Sequence, residues 1–505
     1  MSRKKKLFLN SASSLAYQFI AIVCGFILPR MFLTYYGSEV NGLISSINHF
    51  LGFITIGDLG VGAVVQSALY KPLANNNTDE LSRIYISSNR FFNKISIVLW
   101  LYMGILALVY PIITIDRFSY AFTALLVLAM AISSYAQYFM CITYRLILNA
   151  DQLGFCWLLI HSAALLVNTF VSAVLMKTGM SVQIVKLVTS IIFLAQPVFI
   201  YLIVNKRYVI NKKILLTGEP ISQKWNGLAQ HIATVVLNNT DIVVLTLLST
   251  LSNVSVYSVY FLVVNGIKQI IVSLTNGVQA LFGNMLAKGE TRKLDEVFSS
   301  FEWILHTFTT FIFSCTVILI VPFVSVYTRN INDADYIAPL FGVLISFAQA
   351  SYCLRLPYNL MVLAAGHYKE TQASAVFEAV INITVSVVLV YHFGLVGVAI
   401  GTLVAMIYRT VYLAYYLSKN ILNRPFKYFI IHMIVDIIMT ASIMITSYLV
   451  FGIKLIENSY VTWILFAIKT FLIALLWTIA FSALVYRREM KLAMDLLSHK
   501  FVRHK

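Results

Sequence analysis

Six cations and four carboxylates sit inside stretches that are otherwise hydrocarbon. The cations are Arg30, Lys186, Lys268, Arg355, Arg409 and Lys469; the acids are Asp58, Asp241, Glu378 and Asp436, with Glu302 near the end of one such stretch. An ionisable group in apolar surroundings is costly unless it meets a partner or water. Cations in modest excess suit a hydrated cavity for an anionic cargo. Amides add hydrogen-bonding capacity: Asn238, Asn239, Thr240 and Asp241 run consecutively, and Gln137 and Gln349 stand alone in apolar runs. Such groups can bind sugars or a coupling cation, or join one helix to another. His49, His161, His306 and His432 are isolated, without metal-ligand spacing, and packing or a local hydrogen bond is expected of each.

These groups need helices to carry them. The chain has 505 residues, 60% hydrophobic and 11% charged, where a soluble domain is nearer 25% charged. Continuous apolar runs of about 20 residues or more match a bilayer and exclude a β-barrel, whose strands alternate in hydrophobicity. Fourteen spans are expected, near 7–35, 40–69, 91–114, 119–146, 153–176, 182–204, 226–249, 254–286, 298–327, 336–363, 369–391, 394–418, 427–451 and 460–485. The basic start MSRKKK leads into an apolar stretch that continues to about Leu33, read as a retained first helix. The five cysteines lie in apolar runs and make no CxxC motif, so they are read as small buried hydrophobes.

The net charge of +17 does not call for nucleic acid. With the N-terminus inside, 27 of the 37 lysines and arginines fall on inner segments and 4 on outer ones. That split follows the positive-inside rule and places both termini in the cytoplasm.

The chain repeats at an offset of about 214 residues. Ala74–Leu81 aligns with Ala287–Leu294, Ser134–Gln137 with Ser346–Gln349, Cys141 with Cys353, and Leu166–Asn168 with Val380–Asn382. A repeat of six spans has even parity. The expected fold is therefore an all-α polytopic membrane protein with two six-helix bundles related by an axis along the membrane normal, plus two C-terminal helices. The corresponding boundaries are 1–205, a cytoplasmic linker 206–223, 224–420, the added pair 421–487 and a basic tail 488–505. Under the repeat, Arg30 and Asp241 lie at equivalent depth and are expected to bridge the bundles as part of an outer gate. Asp436 and Lys469, on adjacent added spans, are expected to pair.

One stretch, Pro29 to Ala74, carries a stripe of mostly small or polar residues at helical spacing: Gly42, Ser45, His49, Gly52, Ile56, Gly60, Ala63 and Ser67. It is read as one helix face for close packing, with Asp58 roughly opposite. This stretch, LPRMFLTYYGSEVNGLISSINHFLGFITIGDLGVGAVVQSALYKPLA, resembles the opening helices of bacterial polysaccharide flippases of the Wzx type. These belong to the superfamily of multidrug, oligosaccharidyl-lipid and polysaccharide exporters. The resemblance implies no enzyme activity. It implies a cargo: an oligosaccharide repeat unit on undecaprenyl pyrophosphate, turned from the cytoplasmic to the outer face by alternating access for synthesis of capsule or exopolysaccharide. It also implies the cell membrane as location, the bilayer as surroundings, and glycosyltransferases and a polymerase as pathway partners. A proton or sodium ion is a candidate for coupling, and no other cofactor is expected. Two other functions compete. A cation-coupled drug exporter of the same superfamily would favour an acidic cavity, and a membrane polysaccharide polymerase would need a large outer loop, where every outer loop here is short.

Overall fold

In the computed structural model, residues 3–58, 61–138, 140–212, 214, 228–452 and 459–490 are described. Most of the linker 206–223 and of the tail 488–505 lies outside them. Among the described residues, every regular element is helical, and 13 helical stretches are long and apolar enough to cross a membrane. The first of these covers Phe8–Gly57, too long for one crossing. It turns within α1 (Arg3–Gly52) at Gly37, whose φ of 82° lies where a side chain would clash. That turn accounts for spans 7–35 and 40–69 as separate crossings.

The second of those spans is not the single helix that its stripe suggests. α1 ends at Gly52, a 3-10 helix runs Phe53–Asp58, and α2 (Val61–Ala74) begins afresh. The sequence GFITIGDLGVG explains the break. Glycines and β-branched residues are weak helix formers, and the Thr55 hydroxyl donates to the Gly52 carbonyl at 2.7 Å, a local bond that competes with the α-helical pattern. Positions 42–52 and 61–67 therefore do not share one helix face. Asp58 closes the 3-10 helix, and its side chain lies outside the described ones.

The chain divides into two compact units, Met1–Leu247 and Leu248–Lys505. The first holds α1, the 3-10 helix, α2, α3 (Thr78–Ile113), α4 (Tyr120–Tyr138), α5 (Ile142–Ala150), α6 (Gly154–Lys177), α7 (Val182–Arg207) and α8 (Leu228–Leu248). The second holds α9 (Leu251–Leu274), α10 (Val278–Ala287), α11 (Thr291–Tyr327), α12 (Pro339–Leu354), α13 (Leu356–Ala364), α14 (Tyr368–Phe393), α15 (Leu395–Asn420), α16 (Lys427–Phe451) and α17 (Tyr460–Val485). The element order repeats, and the breaks repeat with it: α4 gives way to α5 where α12 gives way to α13, and α9 to α10 where the 3-10 helix precedes α2. The repeat would count α8 as the first helix of the second half, but in the structure it belongs to the first unit. Side chains on its polar run explain this. Ser46 and Thr246 share a hydrogen bond of 2.7 Å, and His49 Nδ1 lies 3.1 Å from Asn239 Oδ1. A Cβ on Gly52 would stand 2.4 Å from that same Asn239 oxygen, so only glycine lets the amide in.

Outward faces are apolar, as lipid requires. On α3, Ile97, Leu101 and Leu108 point outward at steps of four and seven. At one end of the first unit, Asp151 ties three elements together. It accepts from Lys6 Nζ at 2.7 Å and from the Tyr208 hydroxyl at 2.5 Å, with Arg207 at 3.5 Å. Burial alone would raise the Asp151 carboxyl. Hydrogen bonds from Lys6 and Tyr208, with the charges of Lys6 and Arg207, outweigh burial and hold it below its usual value. A carboxyl held lower in the folded state adds stability that is complete above its unfolded value and drains away as pH falls through the folded one. D151N is therefore expected to lower the thermal midpoint at pH 7 and to flatten its fall as pH drops below the ordinary carboxylate range, read by thermal unfolding in detergent from neutral to acid pH.

Candidate functional site

In the second unit, α12 cannot continue past Arg355 because Pro357 starts the next helix. Arg355 thus sits at the joint between α12 and α13, 8% exposed. Its Nη1 donates to Glu378 Oε1 of α14 at 2.5 Å. Arg409, 2% exposed on α15, places Nε 3.9 Å from the other Glu378 oxygen and donates to the Thr371 carbonyl at 2.8 Å and to the Ser374 hydroxyl. Thr371, Ser374 and Glu378 fall on one face of α14 at steps of three and four. Two arginines thus share one carboxylate, which leaves one positive charge in surplus.

Lys268 adds another. It is 7% exposed on α9, and among the described residues it has no carboxylate within ion-pair reach. Its ammonium lies instead 5.1 Å from the centre of the Tyr352 ring and 5.6 Å from that of Phe261. The Arg355 guanidinium lies 4.4 Å from the same Tyr352 ring. Cation–π attraction returns roughly 2 kcal/mol at a desolvated site, less than a buried unpaired ammonium costs. Three cations around one carboxylate and one aromatic ring make a site short of negative charge, which a phosphate group would supply.

Gln349 lies on α12 one turn before Tyr352 and is 2% exposed. Its Oε1 has no hydrogen-bond partner among the described residues. Its repeat partner Gln137, on α4, is satisfied locally: its amide donates to the Ser133 hydroxyl at 3.0 Å. Gln349 has Ile345 where Gln137 has Ser133, so no hydroxyl answers it.

The other candidates lie in the first unit. Lys186 of α7 is half-buried, with its ammonium 4.3 Å from the centre of the Phe32 ring and no carboxylate within ion-pair reach among the described residues. Arg30 of α1 is half-buried, and Asp241 of α8 is 5% exposed. Both fall in the first unit. Asn238 is exposed, and Asn239 joins α8 to α1 through His49, which is helix-to-helix bonding.

The expected Asp436–Lys469 pair does not form. Lys469 is exposed, 5.9 Å from the centre of the Phe451 ring. Asp436 turns to α11, where it meets His306 Nδ1 at 2.6 Å and accepts from Thr310 at 2.8 Å. His306 and His432, read as isolated, belong with Glu302, Asp436, Tyr358, Arg424 and Tyr486 to one buried network. The spacing carried a signal: Glu302 and His306 are four apart, as are His432 and Asp436, so each pair shares a helix face. Among the described residues, no group of three or more His, Cys, Asp and Glu is placed to hold a metal ion.

Solved structures share this fold, among them two kinds of membrane transport protein. The lipid II flippase MurJ, in its inward closed conformation, superposes with a TM-score of 0.68 at 16% identity, over 95% of this chain and 99% of that one. A multidrug resistance MATE family transporter of the MOP superfamily, in an inward-facing conformation, gives 0.58 at 14% identity over 81% and 98%. The eukaryotic MATE transporter AtDTX14 gives 0.56 at 13% identity over 82% and 95%. No protein-family model matches the chain, and no curated protein matches it. The chain is an all-α polytopic membrane protein with the fold common to MurJ and the MATE transporters.

Proposed function

We propose that this protein is a flippase that carries an undecaprenyl-pyrophosphate-linked oligosaccharide from the cytoplasmic to the outer face of the cell membrane by alternating access. The observation that carries the reading is Lys268: a buried ammonium with no carboxylate partner among the described residues, beside two arginines that share a single carboxylate. A site left short of negative charge suits a pyrophosphate and repels a cationic drug, which weighs against the multidrug reading that the MATE fold allows. Lys268 is assigned to the pyrophosphate. Arg355 and Arg409 hold Glu378 and supply the surrounding positive field, and Gln349 offers its free carbonyl to a sugar hydroxyl. Arg30 and Lys186 would serve the same cargo from the first unit. Glycosyltransferases would supply the cargo and a polymerase would consume it. Coupling to a proton or sodium gradient would give the cycle direction.

Depletion of the protein is expected to leave lipid-linked repeat units on the cytoplasmic leaflet, inaccessible to a membrane-impermeant sugar-labelling reagent. Normal outer-leaflet labelling in a null strain that lacks a second flippase would refute this. Proteoliposomes that export an organic cation and leave the lipid-linked glycan in place would favour the multidrug reading.

A further inference from the structure

The buried network between α11, α13 and α16 has a proton count that its geometry dictates. Four groups stand in series. Glu302 Oε1 lies 2.8 Å from the Tyr358 hydroxyl, which lies 2.9 Å from His306 Nε2, and His306 Nδ1 lies 2.6 Å from Asp436 Oδ2. The chain has three links and therefore needs three hydrogens, one per link. A neutral imidazole brings one and a phenol brings one; two ionised carboxylates bring none. The third hydrogen is an extra proton. Either His306 is an imidazolium that donates to both sides while Tyr358 donates to Glu302, or Glu302 is a neutral acid that donates to Tyr358, which donates to His306, or Asp436 is a neutral acid that donates to His306 Nδ1 while His306 Nε2 donates to Tyr358 and Tyr358 to Glu302. In each arrangement the proton belongs to the set rather than to one residue.

Charge agrees with this count. Glu302 also accepts from Arg424, and Asp436 also accepts from Thr310. With the extra proton, two carboxylates face one guanidinium and one proton, and the set is neutral. Without it, one negative charge stays buried and one hydrogen bond is lost, both costly in an apolar interior. His432 stands beside the chain, with Nε2 3.6 Å from Glu302 Oε2 and Nδ1 2.8 Å from the Tyr486 hydroxyl.

Water has a way in. A cleft of about 260 Å³ has Glu302, Arg424 and His432 on its wall. Asp295, Glu296, Arg488 and Glu489 also line it and add one net negative pair of charges to the local field. Tyr428 completes the charged and titratable groups on this side.

We propose that Glu302, Tyr358, His306 and Asp436 form a proton-binding site that holds one proton at neutral pH and exchanges it with water through this cleft. The bound proton ties α16 to α11. Without the proton, the buried negative charge works against that contact, and the added helix is held more loosely. The inference does not rest on the identity of the cargo.

The test uses the full chain in lipid nanodiscs at pH 7. Nitrogen NMR on histidine-labelled protein reads the protonation of His306, assigned by loss of its signal in H306N. Infrared difference spectroscopy with carboxyl-labelled glutamate and aspartate reads Glu302 and Asp436, assigned by E302Q and D436N. The expected result is a doubly protonated His306, a neutral Glu302 acid or a neutral Asp436 acid. A singly protonated His306 with Glu302 and Asp436 both ionised would overturn the proposal. Y358F cuts the series and removes the hydrogen-bond demand for the third hydrogen while leaving the charge demand, so occupancy of the extra proton at pH 7 is expected to fall in that variant. If occupancy is unchanged, the site is the His306–Asp436 pair alone and the four-residue assignment is wrong.

Discussion

K268M is expected to weaken binding of a pyrophosphate-bearing lipid by about thirtyfold while leaving the protein at least as stable as before. Both effects follow from one charge. An ammonium that is 7% exposed with two aromatic rings and no described carboxylate beside it costs desolvation energy in the empty protein. Methionine fills a similar volume without that cost. A bound phosphate would repay the lysine, and removing one partner of a desolvated charge pair costs roughly 2 kcal/mol or more, which is that thirtyfold factor. K268R keeps the charge but exchanges a compact ammonium for a planar fork, so it is expected to retain part of the binding. Binding of the lipid-linked pyrophosphate to purified variants, with thermal midpoints measured on the same samples, separates the two effects. Unchanged binding in K268M, with the fold intact, would remove Lys268 from the site and with it the main support for an anionic cargo.

The spans and the intramembrane cations were legible because each is a local property. Apolar length marks a crossing, whereas the turn at Gly37, the break after Gly52 and the joint at Arg355 show in the structure. What stayed hidden is rotation. α16 and α17 are apolar on nearly every side, so no stripe announces which face meets protein. Adjacency in sequence then suggested Lys469 for Asp436, whereas the partner, His306, stands 130 residues away on α11. At α8 the repeat and the packing group the helix differently. Two copies of a sequence share topology, but Asn239 and Thr246 answer His49 and Ser46, side chains that only packing brings opposite them. Gln137 and Gln349 occupy equivalent positions and differ because one serine, four residues back in the first copy, has no counterpart in the second.

Glu378 presents the opposite balance to Lys268. Its two oxygens are held between Arg355 and Arg409, all three nearly out of reach of solvent. E378Q leaves both guanidinium groups buried with no carboxylate. Breaking a buried pair from one side costs about 3–5 kcal/mol, so E378Q is expected to lower the thermal midpoint sharply. Arg409 keeps its bonds to the Thr371 carbonyl and the Ser374 hydroxyl, so the loss should fall mainly on Arg355 and the joint between α12 and α13. R355M/E378M removes both members of the tighter pair and replaces them with apolar side chains, and it is expected to recover most of the lost stability. Transport should not recover with it, because the double variant also removes part of the positive field around Lys268. A double variant that regains both stability and flipping would show that Arg355 and Glu378 are only a strut between α12 and α14.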